Sequence, residues 1–336
     1  MDCSSFKVQD SSIQNCTDEK LELFKKAIKD KSFSVVIDFD FTISLPVWMH
    51  PKPDNGSENP GSSFTILSNP EKISSDGVDK IISLFEKYRP IEEDYGMESE
   101  KRKSLVEQWY LETLGVLRAK YKSIEDVVEY VGKDRSMRVK GEFKKLLAEL
   151  CSTEGCNKDR PSDDASNKAP RMIIVSAGLG EVIEAKLSQE LLGSKNVKIV
   201  SNRLLKEDSP LITSQTKDIS IVDQEFLLCH QPECILLVGD NLKDCNIVTR
   251  SGLDELGKSD IAIMKVGLLN FKPLYEMKRK VHSDAPISHQ QYLDLVQKLN
   301  EDEQERFKFD LESFNAEFDL VVINDESLQS VVNLLS

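Results

Sequence analysis

Short apolar runs without polar alternation constrain the fold of this chain more than any other feature. Residues 34–38 (SVVID), 172–175 (MIIV) and 234–238 (CILLV) are the clearest examples. Such runs are typical of strands covered on both faces, as in a parallel sheet. Helical patterns separate the runs along the chain. We therefore predict an α/β fold with a parallel, doubly wound sheet.

The other elements of this predicted core follow from the same patterns. Further strand patterns lie at residues 197–200, 261–266 and 319–323. Helical spacing of apolar residues marks residues 18–29, 143–150 and 181–192, and a short helix is predicted at the C-terminus.

No strand pattern interrupts residues 77–132, which contain helical patterns at residues 78–85, 105–117 and 123–131. We predict an all-helical insert after the first strand. The core then comprises residues 1–48 and 134–336, and the helical cap residues 49–133. Residues 43–64 are predicted to act as its hinge. Residues 152–170 are predicted to be an exposed loop, and the charged residues 280–315 a peripheral, helix-prone insertion.

Composition excludes several classes of function. The formal net charge of −14 disfavours nucleic acid polymers and anionic membranes as partners, but it suits a divalent cation. A small phosphorylated metabolite remains possible, because a local positive pocket can override the overall charge. No run of apolar residues is long enough for a membrane span. The N-terminus does not resemble a signal peptide, and the seven cysteines are irregularly spaced. We expect a cytoplasmic protein with reduced thiols, and a monomer.

Polar residues directly after the predicted strands are the candidates for chemistry, because the site of an open parallel sheet lies at the carboxyl ends of its strands. Residues 38–42 (DFDFT) follow the first strand. Asp38 could attack phosphorus as a nucleophile and form an acyl phosphate. Asp40 could protonate the leaving alkoxide and later activate water. A pair of acidic residues in an ordinary turn is the alternative.

Two further turns carry groups suited to phosphate and metal. Residues 176–181 (SAGLGE) offer a hydroxyl, that of Ser176, and backbone N–H groups at a helix N-terminus, which together can hold phosphate. Residues 239–244 (GDNLKD) contain Asp240, which could complete an oxygen-rich site for Mg²⁺. Taken singly, each is also a common turn or loop.

A lysine is expected to neutralise the transferring phosphoryl group. Lys217 is our choice from its position between the second and fourth motifs, and Lys206 is the competitor. An Asp pair, a Ser turn, a Lys and a Gly-Asp loop occur in this order. That order is the four-motif signature of the haloacid dehalogenase superfamily.

Several segments resemble the pyrimidine 5′-nucleotidase family, the cytosolic 5′-nucleotidase III group. The likeness runs with gaps from about residue 35 to the C-terminus. It is carried most specifically by residues 91–94 (IEED), 106–110 (VEQWY), 176–180 (SAGLG), 196–202 (NVKIVSN) and 318–328 (FDLVVINDESL). The last segment contains none of the candidate catalytic residues, so its similarity indicates shared descent.

The resemblance implies a Rossmann-like core with a helical cap, and Mg²⁺-dependent hydrolysis of nucleoside monophosphates. By position, it implies that Asp38 is the nucleophile and Asp40 the proton donor. The implied metal ligands are Asp38, Asp40 and Asp240, with Asn241 and Asp244 behind them. The implied phosphate ligands are Ser176, Ala177 and Lys217. The implied cap residues are Glu92, which would contact the base, and Thr113, at a position where the family commonly has Ser.

This sequence departs from the family pattern in places that bear on base specificity. Leu114 occupies a position where His is usual, and residues 62–69 (SSFTILSN) lack the family's Cys and His. Two alternatives stay open. One is a phosphatase for another small metabolite, such as a phosphorylated amino acid or sugar. The other is a non-catalytic binding protein of the same fold.

Overall fold

The computed structural model describes residues 12–14, 16–46, 49, 62–68, 73–92, 94, 96–134, 137–151, 170–191, 194–206, 208–282 and 289–335. Most of the predicted hinge and nearly all of the predicted loop at 152–170 lie outside these residues, as does the N-terminal segment 1–11.

The strands are β1 (Ser12–Gln14), β2 (Phe33–Asp38), β3 (Ser44–Leu45), β4 (Arg138–Val139), β5 (Arg171–Leu179), β6 (Val197–Asn202), β7 (Cys234–Gly239), β8 (Ala262–Leu269) and β9 (Leu320–Ile323). All except β3 and β4 form a seven-stranded sheet at the centre of the molecule, in the order β1-β9-β8-β7-β2-β5-β6. All neighbours in this sheet pair in parallel except β1, which runs antiparallel to β9 at the edge. The predicted α/β class with a parallel, doubly wound sheet is confirmed; β1 was not predicted.

The central strands are buried on both faces, as their sequence pattern predicts. Every residue of β2 and β7 is buried. Along β2, Val35 and Ile37 face one hydrophobic layer and Val36 faces the other. Because β2 lies between β5 and β7, its C-terminal residue occupies the middle of the sheet.

Helices cover both faces of the sheet. They are α1 (Asp18–Lys29), α2 (Ser75–Glu92), α3 (Ser99–Lys120), α4 (Ile124–Lys133), α5 (Phe143–Cys151), α6 (Gly180–Leu191), α7 (Gln224–Leu228), α8 (Arg250–Glu255), α9 (Lys272–His282), α10 (His289–Val296), α11 (Glu301–Glu317) and α12 (Gln329–Leu335). Apolar residues of α1, α4, α5, α6 and α12 join the larger layer on one face, and those of α7 to α11 cover the other.

Within residues 280–315, the described parts that belong to α9, α10 and α11 are helical as predicted, but they are not peripheral. Phe307 and Phe314 of α11 are buried against Val321 of β9. Gly267 of β8 permits this approach, because a Cβ there would lie 2.6 Å from a ring carbon of Phe318 and 2.8 Å from one of Phe314. The charged residues occupy the outer side of α11, and their number in the sequence concealed its buried apolar side.

The predicted helical insert contains α2, α3 and α4. The strand β3 (Ser44–Leu45) precedes this insert in the sequence, and β4 (Arg138–Val139) follows it. The two strands pair antiparallel and form a second, two-stranded sheet. Helices α2 and α3 pack on each other, whereas α4 packs on α6 of the core. The division at residues 49 and 133 stays a prediction.

No helix among the described residues has both the length and the apolar character needed to cross a membrane.

Candidate active site

The carboxyl ends of β2, β5 and β7 meet at one edge of the sheet and bring the predicted motifs together. Asp38 is the last residue of β2, and Asp240 follows β7 directly. Ser176 lies on β5 beside β2. Parallel neighbours end at the same edge, so residues far apart in sequence become neighbours here.

Three carboxylates and one ammonium form the centre of the site. Asp38, Asp240 and Asp244 each offer an oxygen, and these oxygens all lie within 4.8 Å of one another. Lys217 Nζ donates to Asp38 Oδ1 at 2.5 Å and to Asp244 Oδ1 at 2.9 Å. The Lys217 side chain is only 9% exposed, so these ion pairs are shielded from water. Of the two candidate lysines, Lys217 joins the acids, whereas Lys206 is exposed.

Burial and the neighbouring charges together shift the pKa values of this cluster. Burial raises the pKa of Asp240 to about 7, and Asp244 adds to the rise while Lys217 opposes it. Burial also raises the pKa of Asp38, again against the charge of Lys217. Burial disfavours the charged form of Lys217, but Asp244 and Asp38 outweigh that effect and hold its pKa above the ordinary value.

Asp244 is fixed by the short 3₁₀ turn Leu242–Asn246. Its Oδ2 accepts from the backbone N–H of Asn241 at 3.0 Å, and the Asn241 side chain in turn caps the turn. Gly239 leaves space for this carboxylate, because a Cβ at Gly239 would lie 2.5 Å from Asp244 Oδ2. The predicted place of Asp244 was behind the metal ligands, but its carboxylate lies within the cluster.

Asp40 lies next to the cluster but has different partners. Its Oδ1 accepts from the backbone N–H of Ser63 at 2.7 Å, and its Oδ2 from the Ser63 hydroxyl at 2.7 Å. The structure therefore does not bring the Asp40 carboxylate, one of the three expected metal ligands, into the group with Asp38 and Asp240. Burial raises the pKa of Asp40, and the hydrogen bonds from Ser63 limit the rise.

Gly178 makes the contact between Asp40 and Ser63 possible. A Cβ at residue 178 would lie 1.7 Å from Ser63 Oγ and 2.6 Å from Asp40 Oδ2. The Ser63 hydroxyl also accepts from the backbone N–H of Leu179 at 3.1 Å. One serine thus joins the segment after β3 to the Asp40 turn and to the end of β5.

Ser176 and Ala177 lie at the end of β5, as the phosphate-binding prediction requires. Ser176 is fully buried, and its hydroxyl accepts from the backbone N–H of Gly178 at 2.9 Å. The carbonyl of Ala177 accepts from Asn202 Nδ2 at 2.6 Å. These bonds fix the turn before α6, whose N-terminus points toward this edge of the sheet.

The turn directly after the two aspartates is strained. Phe41 has a φ of 65°, in the left-handed region that a bulky residue rarely adopts. Its N–H donates to Ser44 Oγ at 2.9 Å, and its carbonyl accepts from Asn270 at 3.2 Å. Thr42 then donates to Asp240 Oδ1 at 3.1 Å. The residues of this turn thus have separate partners, since Asp40 contacts Ser63 and Thr42 contacts Asp240.

Glu92 and Thr113, the two candidate cap residues, are both 7% exposed. Arg89 donates to Glu92 Oε2 at 2.7 Å, and Ser214 donates to Glu92 Oε1. Thr113 Oγ1 is buried and has no hydrogen-bond partner among the described residues. Glu92 therefore contacts the turn that leads to Lys217.

Several residues at this site were not found from the sequence. Ser63 and Ser214 lie outside any strand end or glycine-rich turn, so no local pattern distinguishes them. Thr42 stands within the first motif, where its position after the two aspartates was the available signal. Tyr110 was recognised only as part of a family segment; burial raises its pKa, and so does Glu92.

The cluster fits a hard divalent cation. Carboxylate oxygens are the ligands that Mg²⁺ and similar ions use in proteins. Burial, with a smaller contribution from the neighbouring acids, raises the pKa values of Asp38 and Asp240. A bound cation would favour the ionised form of both carboxylates. Asp38, Asp240 and Asp244 are the residues that could hold it.

The core is a parallel α/β sheet with two aspartates at the end of its central strand, followed along the chain by a serine, a lysine and the turn that carries Asp240 and Asp244. This combination defines a haloacid dehalogenase-like phosphohydrolase. Comparison with known proteins agrees. The family model described as "Pyrimidine 5′-nucleotidase (UMPH-1)" matches residues 51–301, most of the chain. The chain belongs to this pyrimidine 5′-nucleotidase family and is a phosphoric monoester hydrolase. The match includes Ser176, Lys217 and Asp240, and it begins after Asp38 and Asp40.

Similar proteins carry related names. A 7-methylguanosine phosphate-specific 5′-nucleotidase of Gallus gallus is 26% identical over 304 residues, which cover 86% of this chain and 95% of that protein. An enzyme of the same name from Drosophila melanogaster is 23% identical over 290 residues, 83% of this chain and 82% of that protein. A crystal structure of cytosolic 5′-nucleotidase IIIB bound to cytidine matches with a TM-score of 0.65 and 19% identity. The match covers 98% of this chain and 94% of the chain in that crystal structure. This likeness confirms the fold.

Proposed function

We propose that this protein hydrolyses nucleoside 5′-monophosphates with Mg²⁺, through an aspartyl-phosphate intermediate on Asp38. The observation that carries the proposal is the convergence at one sheet edge of Asp38, Lys217, Asp240 and Asp244, with Asp40 beside them in a separate hydrogen-bonded setting.

In the first half-reaction, an Asp38 carboxylate oxygen attacks phosphorus, and the bond from phosphorus to the ester oxygen breaks. Asp40 gives its proton to that leaving oxygen. The raised pKa of Asp40 supports this role, because it keeps the acid protonated to higher pH. Lys217 offsets negative charge on the phosphoryl oxygens, and Ser176 with the N–H groups near Ala177 holds them.

In the second half-reaction, Asp40 takes a proton from water, and the water oxygen attacks phosphorus. The bond between phosphorus and Asp38 breaks, which restores the carboxylate and releases phosphate. When bound by Asp38, Asp240 and Asp244, Mg²⁺ would supply positive charge that keeps Asp38 ionised and reduces its repulsion of the phosphate. Asp40 is assigned to proton transfer because burial raises its pKa and its carboxylate lies outside the group of acids that could hold the cation.

Glu92 and Thr113 are the proposed contacts for the base. The buried Thr113 hydroxyl, without a partner among the described residues, supports this role, and so does the link from Glu92 to the turn before Lys217. Since relatives are named for 7-methylguanosine phosphate and one related structure contains cytidine, pyrimidine and 7-methylguanine nucleotides are the proposed substrates.

Phosphate release from a panel of esters tests this function. The panel contains pyrimidine, purine and 7-methylguanine nucleoside 5′-monophosphates, a sugar phosphate and phosphoserine, each with Mg²⁺ and with chelator. We expect fastest release from nucleotides and loss of activity without Mg²⁺. Release from sugar phosphate or phosphoserine but not from nucleotides would contradict the substrate. Release from no ester by folded protein would contradict the enzymatic function.

Glu92→Gln tests base recognition separately from chemistry. We expect a higher KM for the preferred nucleotide, by roughly tenfold for one lost charged hydrogen bond. The kcat for p-nitrophenyl phosphate, which has no base, should stay unchanged. Equal losses on both substrates would contradict a role in base contact. The expectations of a monomer and a cytoplasmic location stay predictions.

A further inference from the structure

A second lysine, Lys140, lies at the same edge of the sheet as the catalytic residues. It follows β4, and its backbone N–H donates to the carbonyl of Ile43 at 2.9 Å. Ile43 directly follows Thr42, whose hydroxyl holds Asp240 at 3.1 Å. Two residues further on, Glu142 N–H donates to the carbonyl of Ser327 at 2.9 Å. Lys140 is therefore fixed between the Asp38 turn and the loop after β9.

The Lys140 side chain is almost completely buried, with 2% exposure. Its Nζ has no hydrogen-bond partner among the residues that the structure describes. Burying an ammonium costs a large amount of free energy unless negative charge lies close by. Burial accordingly lowers the pKa of Lys140, but Asp325, Asp240 and Glu326 all oppose that effect.

These three acids differ in how far their charge is already balanced. Glu326 pairs with Lys278 at 2.8 Å. Asp325 is 6% exposed; its Oδ1 accepts from the N–H groups of Ser327 and Leu328, but its Oδ2 is buried and unpartnered within the described chain. Asp240 belongs to the carboxylate cluster, and Lys140 in turn lowers the pKa of Asp240. Lys140 thus faces the least balanced acids of this region.

We propose that Lys140 is a second buried cation of the catalytic centre and acts as a positioning residue. Its positive charge offsets the negative charges of Asp325 and Asp240 next to the metal site. It thereby limits the affinity of the carboxylate cluster for Mg²⁺. This inference rests on the proposed function, because it assumes that the carboxylate cluster binds Mg²⁺. Lys217 contacts Asp38 and Asp244 directly, whereas Lys140 acts on Asp240 from the side of the β9 loop. The two lysines together leave the site less negative toward an incoming phosphate dianion.

The charge of Lys140 can be separated from its structural role by the direction of the change in Mg²⁺ binding. Removing a nearby positive charge makes the cluster more negative, so Mg²⁺ should bind Lys140→Met about three- to tenfold more tightly. The KM for a phosphate ester should rise in the same variant. A side chain that merely fills space would leave Mg²⁺ affinity unchanged, or weaken it through disorder of Asp240.

Isothermal titration of metal-free protein with Mg²⁺ measures this affinity without any turnover. The variants are Lys140→Met, Lys140→Gln and Lys140→Arg. We expect tighter binding in the two neutral variants and affinity within about twofold of wild type in Lys140→Arg, which keeps the charge. If Lys140→Met does not fold, Lys140→Gln decides the question. Lys186→Met is the matched control, because Lys186 is partly buried and donates to the carbonyl of Asp134, away from the cluster.

The inference is overturned if the folded neutral variants bind Mg²⁺ with wild-type or weaker affinity, or if Lys186→Met tightens binding equally. Wild-type protein tests the proposed function separately. If wild type neither binds Mg²⁺ nor releases phosphate, the proposed function fails, and this inference fails with it. If wild type does both but the Lys140 variants match it, only the role of Lys140 is rejected.

Discussion

Two aspartates separated by a single residue occupy different chemical settings in this site. Asp38 faces a lysine and two other carboxylates, whereas Asp40 accepts from the hydroxyl and the backbone N–H of a serine. Pairs of acids whose surroundings differ in this way can divide the tasks of nucleophile and proton donor. The strained turn at Phe41 permits the division, because it holds the two side chains in separate hydrogen-bond networks.

Ser63→Ala tests how far Asp40 depends on its partner. The change removes the hydroxyl that donates to Asp40 Oδ2 and accepts from Leu179 N–H. A lost hydrogen bond to a charged group costs about 1.5–3 kcal/mol, so we expect kcat for nucleotides to fall roughly ten- to hundredfold. Steady-state kinetics on a nucleotide and on p-nitrophenyl phosphate would measure the effect.

The defect should be smaller on p-nitrophenyl phosphate, because its leaving group needs no protonation. Ser62→Ala is the control, since the Ser62 hydroxyl contacts Thr65 in the same turn. Equal losses on both substrates would argue that Ser63 supports the fold rather than Asp40.

At the residue scale, the sequence predicted those side chains that directly follow buried strands. Asp38, Ser176 and Asp240 are examples, because parallel strands oblige their carboxyl ends to meet. It did not predict Ser63, which reaches the site from a segment with no regular pattern. It also did not predict that Asp244 replaces the Asp40 carboxylate in the cluster, since that depends on the hydrogen bonds of both acids.

Among the elements, α2 and the turn before Lys217 are joined by one side-chain contact. Ser214 donates to Glu92 at the end of α2, and the Thr213–Thr216 hydrogen bonds shape the turn that ends at Lys217. This contact links the proposed base-binding residue to the proposed phosphate-binding lysine. Opening of the helical insert must therefore break it.

Ser214→Ala should loosen the end of α2 without unfolding the core. We expect faster hydrogen–deuterium exchange at residues 88–92, because the insert loses one buried contact with the turn. Exchange measured by mass spectrometry, without and with a nucleotide, checks this. Ser220→Ala is the control, since its hydroxyl contacts only the exposed Asp218 among described residues. Unchanged exchange in Ser214→Ala would contradict a stabilising role for the contact between Ser214 and Glu92. An insert equally protected with and without nucleotide would contradict cap closure.

Most core elements could be predicted from sequence because their apolar patterns are dictated by two-sided burial. The helix over residues 18–29 and the strand over 34–38 both lie where predicted. The strands β3 and β4 were missed because two residues are too few for a pattern. The charged α11 was misinterpreted because its few buried aromatic residues, such as Phe314, are spaced among many charges.

The whole molecule is acidic, with a net charge of −14, and the candidate site brings three carboxylates close together. Folding without a cation must therefore bring like charges together. The resulting pKa shifts make the stability of the metal-free protein depend on pH.

Metal-free protein should lose stability as pH rises through about 7. The folded pKa of Asp240 is raised from 3.8 to about 7, so its stabilising contribution is present below the unfolded value and lost as pH rises through the folded one. Urea unfolding in chelator, from about pH 5 to about pH 8, measures this against Asp240→Asn, which lacks the titration. Mg²⁺ should restore wild-type stability at the higher pH. Parallel stability curves for the two proteins would contradict the account.

A covalent phosphate on Asp38 is the central claim, and trapping it is the most direct test. Asp40→Asn should accept phosphate from p-nitrophenyl phosphate with Mg²⁺ but release it slowly, because no base activates water. After an acid quench, peptide mass spectrometry should find the phosphoryl group on Asp38, and none in Asp38→Asn, which should also lack turnover. Sustained turnover by Asp38→Asn, or turnover by wild type with no phosphate ever found on Asp38, would contradict the mechanism.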